Sequence, residues 1–402
     1  MSAPSPVVAE IQGLDGPFSF AEKLLQKIWW RGDFDRAAAR TTDGRAVQIR
    51  HPGKWNLLGG PDFRGARLRL GNGAEATGDV ELHLRAADWD AHGHARDRAY
   101  DGVVLHVVLF PPEKNRVTRG AGGREIPILA LLPLLFHDLE EYAAEEAVEA
   151  MANRPMARVP DELAGLGAAE LAALLRAQAN ARWRQKIHFA RLRVQRLGWE
   201  AACHHAALEV LGFRFNRAPM LRIASRFSLE EWARGAVDPV ETFDAEAGAW
   251  SLQGVRPANH PRARLRQYAA WAKARPDWPV RLTAMGDRAP AVESEAGTRD
   301  VRRRHRFTAL REEWAKSLCG GGVSGTRFDT LVCDGFLPLI AAQSARADAM
   351  QAIWFHWFTG DLPPVVTNGL RDLGVFAGSA RPAGHGAAQG LLGWLIEREA
   401  QR

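Results

Sequence analysis

Two acidic residues and a histidine with the spacing of a metal site lie within residues 62–83. Polar and apolar residues alternate over residues 79–85, so Glu81 and His83 point to the polar face of a predicted β-strand. Upstream, Asp62 follows a glycine-rich turn, and the intervening chain is long enough for a hairpin that returns beside it. Two carboxylates at a sheet edge bind a hard dication, which stabilises phosphoryl charge and activates water. The spacing therefore predicts chemistry at phosphate that depends on Mg2+ or Mn2+.

A second group of polar residues follows this strand. Residues 88–100 are dense in side chains of ligand type, among them Asp88, His92, His94, Asp97 and Tyr100. Such a density suits a substrate phosphate or a second metal ion, and it equally suits the exposed face of a helix. His106 lies alone in an apolar strand, where a hydrogen-bonded core histidine is the commoner case. If it faces the side of Glu81 and His83, it can orient them, and Gln48 on the first strand is a weaker candidate for the same role.

The elements that must position these side chains form an α/β pattern. Residues 18–30 repeat apolar positions at intervals of three and four, which predicts an amphipathic helix that carries Glu22. Residues 103–110 are almost wholly apolar, which is typical of a strand buried on both faces. Between them, the patterns predict strands at 45–50, 66–70 and 79–85 and a helix at 88–100. This order predicts a mixed sheet flanked by helices.

Helical patterns replace strands beyond about residue 136. Helices are predicted over residues 161–177, 181–197, 349–358 and 388–398. Residues 286–306 are polar and poor in apolar side chains, which predicts a mobile loop or linker. The sequence therefore predicts an α/β domain in residues 1–150 and a basic, mainly helical domain in residues 151–402.

The two predicted domains differ in charge. The chain of 402 residues carries a net charge of +6, with −4 in residues 1–150 and +10 in residues 151–402. The basic half has clustered arginines that are candidates for contacts with a nucleic-acid backbone, namely Arg184, Arg191, Arg193, Arg302, Arg303 and Arg304. A solvated basic surface would produce the same pattern. DNA or RNA is therefore an expected partner.

Composition excludes several other classes of protein. An apolar fraction of 46% and a charged fraction of 25% exclude disorder over the whole length. No stretch has the pattern of a secretory signal or of a membrane-spanning helix. Three cysteines without Cys-x-x-Cys spacing support neither a disulfide framework nor a cysteine zinc site. We expect a cytoplasmic protein with no membrane partner.

The residues around Asp62 and Glu81 resemble the PD-(D/E)xK nuclease superfamily. A proline–aspartate pair ends at Asp62, the motif Glu81-x-His83 follows, and a helix with Glu22 precedes both, in the order of that superfamily's restriction-endonuclease-like core. The resemblance implies that Asp62, Glu81 and the backbone carbonyl of Leu82 hold the metal ion, with Glu22 assisting. His83 stands where the superfamily has lysine. Histidine can accept a proton near neutral pH but is only partly cationic.

A closer resemblance is to an uncharacterised bacterial family of unknown function. It is carried by residues 59–66, 78–94 and 105–108, and it extends into the helical half through residues 198–200 and 211–212. This resemblance identifies relatives and implies no activity.

Three functional hypotheses follow from these observations. The first is a metal-dependent nuclease, in which Asp62 and Glu81 hold the ion and His83 orients or deprotonates the attacking water. The second is an inactive nuclease-like module for nucleic-acid binding or assembly. The third is a metalloenzyme in which zinc or iron is bound by a cluster of imidazoles, namely His83, His92, His94 and His106.

Overall fold

The chain divides into two compact units, Met1–Ala143 and Ala144–Arg402. The computed structural model describes residues 22–136 and 161–400 except 57–58, 114–115, 213–215, 253–254, 256, 293–296, 345 and 379, together with residues 139, 142 and 146.

The N-terminal unit is built on a mixed six-stranded β-sheet. The strands of the unit are β1 (Val47–His51), β2 (Lys54–Trp55), β3 (Phe63–Leu70), β4 (Glu75–His83), β5 (Val103–Val108), β6 (Thr118–Arg119), β7 (Glu125–Ile126) and β8 (Ile128–Ala130). The main path through the sheet is β1-β3-β4-β5-β8, β2 pairs with β3, and β6 and β7 form a separate ribbon. Pairing is antiparallel from β1 to β4 and parallel from β4 through β5 to β8.

A helix and a series of short turns complete the described part of this unit. Helix α1 (Glu22–Arg31) buries Leu25, Ile28 and Trp29 in the same core cluster as the apolar face of β4. After β4 the chain forms helix α2 (Asp88–Ala91) and 3-10 turns at His94–Arg96, Arg98–Tyr100, Ala121–Gly123 and Leu132–Leu134. The prediction of a single helix over residues 88–100 is therefore wrong. It breaks at Gly93, whose φ of 74° does not continue a right-handed helix.

Helices make up the described C-terminal unit. They are α3 (Asp161–Ala164), α4 (Ala168–Leu197), α5 (Trp199–Leu211), α6 (Arg217–Arg226), α7 (Leu229–Ala233), α8 (Pro239–Ala245), α9 (Pro261–Ala274), α10 (Trp278–Arg288), α11 (Thr298–Arg304), α12 (Phe307–Cys319), α13 (Gly325–Thr330), α14 (Leu337–Gln343), α15 (Ala347–His356), α16 (Pro364–Asp372) and α17 (His385–Ala400), with a 3-10 turn at Pro257–Asn259 and a π-helical segment at Leu331–Phe336. Nowhere in the described chain is a helix both long enough and apolar enough to cross a membrane.

Two predictions for the helical half are corrected. The helices predicted at 161–177 and 181–197 are instead a short α3 and a continuous α4 of 30 residues. No break occurs near residue 180, where Ala179 is fully buried and Asn180 Oδ1 accepts a hydrogen bond from Gln351. The predicted mobile loop at 286–306 contains the end of α10 and all of α11, which is anchored by Val301 at 1% exposure.

The predicted fold class is confirmed. A mixed sheet with associated helices is followed by a mainly helical region. The core of the sheet unit lies between α1 and the apolar faces of β3, β4 and β5. The opposite face of β4 carries Glu81 and His83, which are 5% and 1% exposed. This second face holds the candidate site.

Candidate functional site

Asp62, immediately before β3, lies beside Glu81 on the adjacent strand β4. The antiparallel register pairs Phe63 of β3 with Val80 of β4, which places Asp62 opposite Glu81. The backbone N–H of Asp62 donates to Glu81 Oε2 at 2.9 Å, and the N–H of Leu82 donates to Asp62 Oδ2 at 3.0 Å. The hairpin expected from the sequence thus brings the two carboxylates together.

Helix α1 adds two polar side chains to this pair. Gln26 Nε2 donates to Asp62 Oδ1 at 2.6 Å. Glu22, one turn earlier, is half-buried and interacts electrostatically with Asp62, Glu81 and His92. Because the apolar side of α1 is fixed in the core, its polar side is held against the end of the strands.

Burial and mutual repulsion shift the pKa values of all three carboxyl groups upward. Burial raises the pKa of Asp62 to about 6, although the hydrogen bond from Leu82 opposes the shift. Burial and the neighbouring Asp62 raise the pKa of Glu81 to about 8, and burial raises the pKa of Glu22. Among the described residues, no lysine or arginine forms an ion pair with any of the three. A divalent cation placed among them would favour their ionised forms.

A chain of hydrogen-bonding groups lies behind His83. Parallel pairing of β4 with β5 aligns Glu81 with His106, so His83 and His106 share a face. His83 Nδ1 lies 2.9 Å from His106 Nε2, and His106 Nδ1 lies 2.7 Å from Thr118 Oγ1 on β6. Both ring nitrogens of His106 are engaged. His106 therefore orients His83, and it is not placed as a fourth imidazole ligand of the kind the third hypothesis expected.

The other two histidines converge on the front of His83. His83 Nε2 lies 3.1 Å from His92 Nδ1 and 3.3 Å from His94 Nε2. Glu81 Oε1 lies 3.6 Å from His83 Nε2 and 3.4 Å from His94 Nε2. Residues two apart on a regular helix point in nearly opposite directions. His92 and His94 face one centre because Gly93, between them, adopts a left-handed conformation.

Burial favours the neutral form of three imidazoles in this cluster, those of His83, His94 and His106. Burial, with the neighbouring rings of His94 and His92, lowers the pKa of His83 to about 4. Burial and the ring of His83 lower the pKa of His106 to about 3, and burial lowers the pKa of His94. A neutral imidazole has one nitrogen lone pair available to a proton or a metal ion.

Two aromatic rings enclose the cluster. Trp89 is fully buried, donates from Nε1 to a backbone carbonyl at 2.9 Å, and has its ring centroid 5.3 Å from those of His94 and His106. Tyr100 stacks on His94 at a centroid separation of 3.8 Å. Burial, followed by the charge of Glu81, raises the pKa of Tyr100 to about 12. His92 is exposed, so this side of the cluster is open to solvent.

Three other predicted residues take different places. Asp88 Oδ2 accepts from a backbone N–H at 2.8 Å, and Asp97 Oδ1 accepts from the N–H of Ala99 at 2.9 Å, so both carboxylates stabilise turns. Gln48 is exposed on β1, opposite Arg69, and the structure does not bring it to the carboxylates or histidines.

The predicted backbone-binding arginines fall into different environments. Arg184 and Arg191 are exposed on α4, and Arg304 is exposed on α11. Arg193 forms an ion pair with Glu209 at 2.8 Å, and Arg303 pairs with the nearby Asp300. Arg302 differs from the expectation, because its guanidinium donates three hydrogen bonds to backbone carbonyls inside the protein and is not available to a phosphate.

Sequence reasoning missed Gln26, Thr118 and Trp89 as parts of the site. Gln26 carried a usable signal, since it lies four residues after Glu22 on the same face of a predicted helix. Thr118 and Trp89 had none, because their positions depend on how a ribbon and a turn pack onto the sheet.

Comparison with known proteins assigns the chain to a family but supplies no activity. Residues 22–247 match the model of a family described as protein of unknown function (DUF2851). No curated protein and no solved structure matches the chain. The matched region includes every residue of the carboxylate and histidine groups described above.

Proposed function

The chain belongs to the DUF2851 family, whose description states no activity, and we propose that it is a metal-dependent hydrolase of phosphodiester bonds in nucleic acid. The observation that carries the proposal is the pair Asp62, immediately before β3, and Glu81 on β4, which lie opposite one another beside Glu22. The resemblance of the same residues to the PD-(D/E)xK motif supports this assignment.

The donor set fits Mg2+ or Mn2+, because these ions prefer carboxylate and carbonyl oxygens. Asp62 and Glu81 would hold the ion, the backbone carbonyl of Leu82 would add a ligand, and Glu22 would assist from α1. When bound, such an ion offsets charge on the phosphoryl group and acidifies water. Gln26 contributes by fixing Asp62 Oδ1, which leaves the carboxylate in one orientation.

His83 would position the attacking water. Its Nδ1 is fixed by His106, and its Nε2 lies 3.6 Å from Glu81 Oε1. The pKa of His83, lowered to about 4 chiefly by burial, makes Nε2 a weak base at pH 7. We therefore assign His83 to accepting a hydrogen bond from water, and the absence of a lysine charge at this position predicts slower cleavage than a lysine would give.

Nucleic acid would be held in part by Arg184 and Arg191. Both are exposed on α4, and within the described residues neither forms an ion pair. Such side chains contact phosphates without reading sequence. This part of the proposal predicts binding that weakens as salt is raised.

Cleavage of labelled nucleic acids tests the proposal. Single-stranded, double-stranded and branched DNA and RNA are incubated with Mg2+ or Mn2+ and the wild type, Asp62→Asn or Glu81→Gln. We expect both substitutions to reduce cleavage at least about a hundredfold, since a bound metal ion contributes several kcal/mol to transition-state stabilisation. Glu75→Ala, an exposed acid on the same strand, is the matched control and should cleave like the wild type.

Two results would contradict the proposed function. Asp62→Asn as active as the wild type would remove the carboxylate mechanism. A folded wild-type protein that binds nucleic acid and cleaves none of these substrates would favour the inactive binding module instead.

A further inference from the structure

The histidine cluster has the ligand spacing of a transition-metal site. The distances from His83 Nε2 to His92 Nδ1, His94 Nε2 and Glu81 Oε1 are 3.1, 3.3 and 3.6 Å, and Glu81 Oε1 lies 3.4 Å from His94 Nε2. Ligands that surround zinc tetrahedrally at its usual bond lengths are about 3.4 Å apart. The three imidazole nitrogens lie within 4.8 Å of one another, and Glu81 Oε1 lies beside two of them.

The hydrogen-bonded chain behind His83 supports the same interpretation. In one tautomer, His83 Nδ1–H donates to His106 Nε2, and His106 Nδ1–H donates to Thr118 Oγ1. That arrangement leaves the lone pair of His83 on Nε2, which faces the centre of the cluster. Metal-binding imidazoles usually donate their second N–H to such a partner, which fixes both ring and tautomer.

We infer that His83, His92, His94 and Glu81 bind one divalent transition-metal ion of the zinc class. Imidazole nitrogen favours such ions over Mg2+, so this site differs in chemistry from the oxygen site of Asp62 and Glu81. Glu81 belongs to both, since its Oε2 lies toward Asp62 and its Oε1 lies toward the histidines. The inference goes beyond the proposed function, because the ion would bind whether or not nucleic acid is cleaved. An ion bound there would take the lone pair of His83 Nε2, so His83 accepts a hydrogen bond from the attacking water only in protein free of the transition metal.

Two features indicate an exchangeable site that a ligand can reach. His92 is exposed, whereas His83 and His94 are 1% and 8% exposed. Three imidazoles and one monodentate carboxylate form a set that can also expand to admit water or a substrate oxygen.

Direct measurement of metal binding tests the inference. The full-length protein is freed of metal with a chelator and titrated with Zn2+ by calorimetry, in parallel with His92→Ala and His94→Ala. We expect each substitution to weaken Zn2+ binding more than about a hundredfold. Loss of a residue that only holds a metal ligand in place typically weakens binding roughly 10- to 100-fold, so a larger loss identifies a direct ligand. His92 is exposed, so His92→Ala should fold like the wild type. His51→Asn is the control, since His51 lies in the same unit and its Nδ1 accepts only from a local N–H.

A second probe reports the ligands themselves. Co2+ bound by three imidazoles and a carboxylate in tetrahedral geometry absorbs visible light strongly, whereas hydrated or octahedral Co2+ absorbs weakly. We expect strong absorption for the wild type and for Asp62→Asn, and its loss in His92→Ala. Equal Zn2+ affinity in the wild type and His92→Ala, or weak Co2+ absorption in the wild type, would overturn the inference. If Asp62→Asn abolishes cleavage but keeps Zn2+ binding, both proposals stand; if no protein cleaves while Zn2+ binding depends on His92, only the proposed function fails.

Discussion

The two units bury acidic side chains in opposite electrostatic surroundings. In the C-terminal unit, buried or half-buried acids have basic partners close by, namely Arg311 for Asp329, Arg193 for Glu209 and Lys186 for Asp334. In the N-terminal unit, Asp62 and Glu81 face one another and lie near Glu22. The imidazoles of His83 and His94 lie beside Glu81, and burial lowers the pKa of each. The C-terminal unit neutralises its buried acids with its own basic side chains, whereas the buried acids of the N-terminal unit would be neutralised by a cation that binds.

The pKa values express this difference. Burial alone would raise the pKa of Asp334, but the charges of Lys186, His385 and Arg217 and the hydrogen bond from Lys186 together outweigh it, and the pKa falls to about 2. Burial and Asp62 together raise that of Glu81 to about 8. A basic partner does not always lower the pKa of a buried acid, since burial raises the pKa of Asp329 to about 6 although Arg311 opposes the shift. Ion pairs thus accompany a structural acid, and crowded acids without them indicate a binding site.

Removing a basic partner in the C-terminal unit should have the largest effect on stability. Lys186→Met keeps the aliphatic stem but leaves Asp334 without its ammonium, which lies 2.7 Å away. We expect the free energy of unfolding at pH 7 to fall by about 2 kcal/mol, since each pKa unit corresponds to about 1.4 kcal/mol. Urea denaturation followed by tryptophan fluorescence measures it. Lys186→Arg should retain most of the stability, and a Met variant as stable as the wild type would show that the ion pair contributes nothing.

Removing an acid in the N-terminal unit should act in the opposite direction. At pH 7 Asp62 is ionised against a pKa raised to about 6, so its charge destabilises the metal-free fold. Asp62→Asn keeps an acceptor for the Leu82 N–H, and a flipped Gln26 amide can accept from the new NH2 group. We expect metal-free Asp62→Asn to gain on the order of 1 kcal/mol in unfolding free energy. A loss of stability in the same urea experiment would mean that Asp62 serves mainly as a structural acceptor.

The third effect is a dependence of stability on pH. Glu81 binds its proton more tightly when folded, with a pKa of about 8 against 4.5, so its contribution to stability declines as pH rises toward 8. His83 and His106 have lowered pKa values and act in the opposite sense, but only below their ordinary value of 6.5. Between pH 6.5 and 8 we therefore expect chelator-treated wild type to lose about 1 kcal/mol per pH unit. Thermal unfolding of Glu81→Gln should lack this slope, and an identical slope would assign it to other groups.

Local pattern was enough to predict β1, β3, β4 and β5 and the meeting of Asp62 with Glu81, but not the short strands β2, β6, β7 and β8. Alternation of polar and apolar residues along β4 distinguished the core face from the polar face. The chain between Asp62 and Glu81 is long enough to form a hairpin, which brings the two residues side by side. The same reasoning allowed His106 to face Glu81. It could not supply Thr118, because β6 reaches His106 through tertiary packing and not through pairing with β5.

The structure differs from the sequence-based predictions where a single residue changes the direction of the backbone or where a charged side chain turns into the protein. Helical spacing alone separates His92 from His94, and only the positive φ of Gly93 brings them together. In the basic run, charge alone does not distinguish Arg302 from Arg303. The structure turns the first inward to three carbonyls and leaves the second exposed.

Gly93 also has a consequence for kinetics. Because it turns His92 and His94 toward one centre, both rings are carried by a single tripeptide. If the inferred ion binds, one that leaves either ring would stay within reach of the other at high effective concentration. Its escape would require both rings to release it together, along with its other ligands, so residence time, and not affinity alone, would depend on this residue. No atom lies within 4 Å of the position that a Cβ would take at Gly93, so backbone conformation, and not lack of space, sets this requirement for glycine.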